Sequence, residues 1–285
     1  MTAVALTPPS DLCDSISSGR CALFVGAGLS IGAGMPGWEE LLSRLVDKFR
    51  STDDIDADQA LELKQMARAG KRPLMVAQEI CDRAGRGRFL DEIVKIFGDK
   101  SKKPTESHLE MPEIPFSIAL TTNYDRLLES AYVVKTRSLP TVYTHANSHD
   151  FADAIWRQDF FILKAHGTIE ARSDIVLTER DYRDIIFRAP GYQAALLSIF
   201  TTKTVFFVGV SLNDPEVTLL LSYLFDAFHG SGVNHFALVP DDTITKTEAS
   251  RWRKDYKVNC IRYTPTSGHP EILEFLKLLP RKSAP

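Results

Sequence analysis

The sequence predicts an α/β fold: a mostly parallel sheet with helices on both faces and a helical insertion. Three observations carry that expectation. Short apolar runs bounded by turn residues recur along the chain, as expected of parallel strands covered on both faces. Segments with apolar residues at helical spacing separate these runs, and such alternation is the pattern of a sheet flanked by helices. Between the first and second strands lies a long stretch that reads as several helices followed by a solvated connector.

The elements follow in order. Cys21–Val25 is a continuous apolar run closed by Gly26 and reads as the first strand. Trp38, Leu41, Leu42, Leu45, Val46 and Phe49 recur at helical spacing, which predicts an amphipathic helix with Trp38 on its core-facing side. Residues 60–69, 73–83 and 89–97 read as helices punctuated by Gly70, Gly85 and Gly87. The helical insertion spans 51–112, and its part with Lys100, Lys102, Lys103 and Pro104 reads as a solvated connector. Strands are expected at 114–120, 160–164, 204–210, 235–239 and 258–262. Helices are expected at 125–132, 178–187, 192–201, 215–228, 245–255 and 270–279. No repeat, low-complexity segment or strong linker divides the chain, so 1–285 reads as a single domain.

Composition excludes several classes. The chain has 285 residues, 44% hydrophobic and 25% charged, as in ordinary globular proteins. Its 34 Lys and Arg against 37 Asp and Glu leave a net charge of −3, which disfavours a basic nucleic-acid binder. The four cysteines, Cys13, Cys21, Cys81 and Cys260, form no C-x-x-C pair, so neither a zinc module nor a disulfide scaffold is expected. A reducing, cytoplasmic location is the simplest reading. Residues 1–10 lack the pattern of a signal peptide, and no apolar stretch reaches the roughly 18 residues that span a bilayer. Basic clusters at 68–72, 83–88 and 251–257 read as solvated faces, with a contact surface for a partner as the alternative.

Ligands of open α/β sheets bind at the carboxyl ends of the strands. After the first strand comes Gly26-Ala27-Gly28-Leu29-Ser30, then Ala33-Gly34-Met35-Pro36. Glycines followed by a helix start let backbone N–H groups approach a phosphate, although the same residues also suit a tight turn without ligand. The loop is not a Walker A, and Ile31 stands where a dinucleotide fingerprint needs its third glycine. The later strands deliver Thr122-Asn123-Tyr124-Asp125, then His166-Gly167, then Gly209-Val210-Ser211-Leu212-Asn213-Asp214-Pro215. Read singly, Asn123 or Asp125 and Asp214 suit helix caps, His166 a turn and Tyr124 packing. Together they bring four polar loops to one edge.

These four segments, in order over about residues 21–262, resemble the sirtuin superfamily: its NAD-binding loop, its asparagine–aspartate motif, its histidine–glycine motif and its second nucleotide loop. Two departures redirect the resemblance. The zinc ribbon of the protein-deacylating members is missing, and the glycine loop continues as Gly37-Trp38-Glu39-Glu40 rather than acidic–aromatic–arginine. That form is similar to the bacterial anti-phage-defence branch whose members hydrolyse NAD+, as is Leu177-Thr178 followed by Tyr182.

The resemblance implies a Rossmann-like core, NAD+ as substrate and no metal. It implies that Asn123 positions the ribose or the attacking water, that His166 is the general base and that Asp125 meets the nicotinamide carboxamide. Gly26, Ala27, Gly28, Ser30 and Pro36 would hold the pyrophosphate side, and Gly209, Ser211 and Asp214 the adenosine side or a ribose hydroxyl. It also implies a homo-oligomer or control by a partner such as a HerA-like ATPase or an Argonaute-type protein, because no sensor is read in the chain. Neither sequence-specific nucleic-acid binding nor a membrane is expected. A deacylase, an ADP-ribosyltransferase and a non-catalytic NAD or ADP-ribose sensor are the alternatives.

Overall fold

The computed structural model describes residues 6–212 and 214–282. Half of the 1–10 segment and Asn213 of the fourth polar loop lie outside the described residues. Among the described residues, seven strands form one sheet: β1 (Cys21–Val25), β2 (Ile118–Thr121), β3 (Thr141–Thr144), β4 (Phe161–Lys164), β5 (Thr204–Val208), β6 (His235–Pro240) and β7 (Val258–Tyr263). Their order is β3-β4-β2-β1-β5-β6-β7, and every neighbouring pair is parallel. The α/β expectation therefore holds.

β1 shows why the sheet needs cover on both sides. Ala22 and Phe24 enter one apolar cluster with helices Ser148–Arg157, Pro190–Thr202 and Pro215–Ala227. Cys21, Leu23 and Val25 enter another, with helices Ser10–Ser17, Leu127–Thr136 and Pro270–Lys277. The alternation follows from the strand's two-residue period. Cys21 and Cys81 are buried free thiols whose pKa burial pushes up.

A third cluster stands beside the sheet. Helices Trp38–Arg50, Ala57–Arg68, Pro73–Ala84 and Arg86–Phe97 pack through Leu45, Val46, Phe49, Ile80, Phe89 and Ile93. Tyr124, Leu127, Ile175 and Leu177 join them from the sheet side.

Four expectations need correction. The strand expected from 114 begins at Ile118, because the chain turns at Pro115, where the Phe116 N–H donates to Ile114 O at 2.8 Å. The strand expected to reach 210 stops at Val208, because Gly209 turns it with φ +64°. β3 was not expected: it is a half-exposed edge strand with only Val142 and Tyr143 as apolar residues. The end of the solvated connector holds a short helix, Glu106–Glu110, capped by the Thr105 side chain, with His108 1% exposed.

Candidate active site

The chain runs from β1 to one side of the sheet and returns to β5 on the other, so the β1 and β5 loops part at a topological switch point. They touch backbone to backbone. The Gly26 N–H donates to Val208 O at 3.0 Å and the Gly28 N–H to Gly209 O at 2.8 Å. A Cβ on Gly26 would lie 2.4 Å from Gly209 O, and one on Gly209 2.6 Å from Leu29 N. The glycines thus serve the meeting of the two loops. Ala27–Ile31 forms one short helical turn that buries Ser30.

Asn123 locks onto that turn. Its Nδ2 donates to Gly26 O at 3.1 Å and to Ser30 Oγ at 3.0 Å. Its N–H reaches Thr121 Oγ1 at 3.0 Å, and that hydroxyl donates to Val25 O at 2.9 Å, tying β2 to β1. Asn123 Oδ1 is buried with no hydrogen-bond partner among the described residues. Asp125 divides its two oxygens. Oδ1 accepts from the Leu127 N–H at 2.9 Å at the start of helix Leu127–Thr136, from one residue before the N-cap Arg126, while Oδ2 is buried without a hydrogen-bond partner among the described residues. Tyr124 packs as expected: its Oη donates to Val176 O at 2.7 Å, its ring meets Phe97 edge-on, and burial raises its pKa.

His166 follows β4 and is 3% exposed. Its turn demands glycine next, because Gly167 has φ +84° and a Cβ there would lie 2.0 Å from Asp174 O. His166 Nδ1 lies 3.4 Å from Tyr182 Oη, and the two rings meet edge-on at 5.0 Å. Tyr182 Oη donates to Asp214 Oδ2 at 3.1 Å, and that oxygen is 3.8 Å from His166 Nε2. Asp214 also accepts from the Val217 N–H at 3.2 Å, so it caps its helix while facing the histidine.

Of the expected site residues, Ala27, Ser30, Pro36, Asn123, Asp125, His166 and Asp214 line one cleft holding about 510 Å³ of empty space, part of it open to solvent. Gly26, Gly28, Gly209 and Ser211 are not among its lining residues. Trp38 is corrected: it is 37% exposed and lines the cleft rather than facing the core, because Leu41, Leu42, Leu45 and Val46 already fill the buried side of its helix. The described residues lining the cleft include neither Lys nor Arg. Among the described residues no group of three or more His, Cys, Asp or Glu is placed to hold a metal ion.

Three residues were missed. Tyr182 entered only as part of a resemblance. Lys164 was legible as a lone charge closing an apolar run, a position that needs a partner when buried. His108 lay in a segment read as solvated. Of the basic clusters, Arg72, Arg83, Arg86, Arg88 and Arg251 make ion pairs.

A family model described as "SIR2-like domain" matches residues 117–261. The chain is 28% identical over 231 residues to "NAD(+) hydrolase ThsA" of Bacillus cereus (strain MSX-D12), covering 80% of this chain and 45% of that protein. It is 27% identical over 217 residues to the protein of that name from Cytobacillus dafuensis, covering 76% and 40%. It is 26% identical over 230 residues to "Defense-associated sirtuin 2" of Bacillus subtilis, covering 77% and 21%. The chain thus matches less than half the length of these curated relatives.

Proposed function

The chain belongs to the SIR2-like domain family, and on that premise we propose that it cleaves NAD+ to nicotinamide and ADP-ribose, as the NAD-depleting effector of a bacterial anti-phage defence system. The observation that carries the proposal is the convergence of Asn123, Asp125 and His166 on one cleft, with Asn123 Oδ1 and Asp125 Oδ2 buried and unpartnered. Buried acceptors without donors are costly, and a ligand rich in hydroxyl and amide donors satisfies them. The names of the relatives supply the substrate.

The chemistry then divides among these residues. The bond between ribose C1′ and the nicotinamide nitrogen breaks, its electron pair goes to that nitrogen, and nicotinamide leaves neutral. C1′ passes through a cation-like state, which a cleft whose described lining holds Asp125 and Asp214 but no Lys or Arg stabilises. Water attacks C1′ and yields its proton to His166. Asn123 is held by two bonds to the glycine loop and presents Oδ1 to the ribose or the water. Asp125 Oδ2 accepts from the carboxamide. Gly26, Gly28, Gly209 and Ser211 hold the distal half of the nucleotide beyond the cleft. We read 1–285 as a single domain with 51–112 as its insertion. The setting is cytoplasmic, and because NAD+ loss is toxic, control lies in self-assembly or in a partner of the HerA-like or Argonaute type.

The test is nicotinamide release from NAD+ by the pure protein, alone and with its partner. Release is expected, and Asn123→Ala and His166→Ala are each expected to lower it by about 10²–10⁴-fold. No release in any assembly state, or full release from both variants, overturns the proposal.

A further inference from the structure

One buried charge near the cleft has no part in the reaction just described. Lys164 closes β4, two residues before His166, and is 0% exposed. Its Nζ donates to Glu129 Oε1 at 2.8 Å, to Tyr124 O at 3.3 Å and to Asp125 O. An ammonium has three protons, so all of them are engaged. Two of the acceptors are backbone carbonyls in the loop that carries Asn123 and Asp125. One side chain therefore ties the β2 loop to the β4 strand end that carries His166.

The geometry points to Lys164, with Glu129 as its counter-ion, as a positioning residue that fixes the spacing between the Asn123–Asp125 loop and His166. Two arguments support it. Burying an ion pair is a poor route to stability, since apolar residues of similar volume often do as well or better. Here the lysine spends two of its three bonds on site carbonyls, which is geometry rather than packing. The second argument is charge. The proposed reaction builds positive charge on the ribose, and an unpaired ammonium behind the site would oppose it. Glu129, 4% exposed on helix Leu127–Thr136, offsets that charge where water cannot. Among the described residues its Oε2 has no hydrogen-bond partner, and its Oε1 is tied to the site through Lys164.

The inference rests on the proposed NAD+ cleavage for its kinetic consequence. Its structural half is tested without turnover. The full chain is compared with Lys164→Met/Glu129→Leu, which keeps the volume and removes both charges, and with Lys164→Met, which leaves Glu129 unpaired. The double variant is expected to fold, to bind NAD+ with KM within about threefold of wild type, and to lose about 10²-fold in kcat, because the reacting groups are misplaced while the binding surface stays. Amide hydrogen exchange in residues 122–127 is expected to speed up by at least about tenfold, with β5 unchanged. A double variant with wild-type kcat and wild-type exchange overturns the inference and leaves the NAD+ reading intact. If the wild-type chain cleaves no NAD+, that reading fails, and the exchange comparison still decides whether the pair holds the loop.

Discussion

Two regions of this molecule use charge in opposite ways. At the carboxyl edge of the sheet, Asp125, Lys164 and His166 are 4%, 0% and 3% exposed, and each is held by named partners. Around the helices between β1 and β2, which we propose form an insertion, most charges face water. Arg180 pairs with Asp82 at side-chain exposures of 61% and 40% and Arg72 with Glu179 at 69% and 40%, while the exposed Arg86 reaches the half-buried Asp181 at 2.8 Å. Desolvated polar groups fix geometry because leaving one unpaired costs roughly 1–3 kcal/mol. Exposed pairs compete with water and fix little. The insertion therefore owes its form to its apolar cluster, and the cleft owes its form to hydrogen bonds.

The largest effect that would break this division is in the insertion core. Phe89 is fully buried in the insertion cluster and does not line the cleft. Phe89→Ala is expected to cost about 3–5 kcal/mol in urea unfolding, with nicotinamide release per folded molecule unchanged. A loss of release matching the loss of stability would show that the two regions act as one.

Two glycines sharpen the comparison, because both have positive φ. Gly167 at the cleft has φ +84° with backbone in the way of any Cβ, whereas Gly70 in the insertion has φ +61° and nothing within 4 Å. Gly70→Ala pays only for its backbone angle, about 1 kcal/mol, while Gly167→Ala must also displace Asp174 and is expected to cost about 3 kcal/mol or more. Equal shifts in thermal midpoint would mean that the cleft yields as easily as the insertion surface.

Two buried histidines, His108 on helix Glu106–Glu110 and His235 on β6, give the next effect. Burial lowers the pKa of His108 and of His235 to about 4, with the Asp125 carboxylate opposing the shift at His108. Both stay neutral in the folded chain while the unfolded chain takes up protons below about pH 6.5. Their contribution is therefore complete above pH 6.5, declines as pH falls, and is gone by about pH 4. At pH 5 the loss is about 2 kcal/mol for each, from the 1.36 kcal/mol per pH unit of linkage. Urea unfolding of His108→Asn and His235→Asn from pH 7 to 5 is expected to show a flatter pH dependence than wild type. An unchanged slope would mean that neither histidine is held neutral by the fold.

How far the sequence disclosed all this depended on how continuous each signal is. β1, β5 and β6 were legible because parallel strands buried on both faces read as unbroken apolar runs. β3 was not, because an edge strand with Thr141 and Thr144 at its ends carries no such run. Asn123, Asp125 and His166 were legible because each follows a strand and opens a loop. Tyr182 was harder to see: it lies on helix Glu179–Arg188 and reaches His166 only through the packing of that helix against the sheet. The same holds for the partners of Lys164, which lie 35 to 40 residues away in the chain.

The smallest expected effect probes the seam between the two regions. Residues 179, 180 and 181 each pair with the insertion, while Tyr182 beside them touches His166. Arg180 makes two bonds to Asp82, at 2.6 and 3.0 Å. That geometry is good, but both groups are exposed, and holding two long side chains in one arrangement costs entropy that water does not repay. Arg180→Ala is therefore expected to cost less than about 1 kcal/mol, and less still in high salt. Nicotinamide release is expected to stay within about twofold, because Tyr182 is also held by its buried ring and by Asp214. A tenfold fall in release with stability unchanged would reverse that conclusion. The exposed pairs would then be setting the position of Tyr182, and the surface of the insertion would control the cleft.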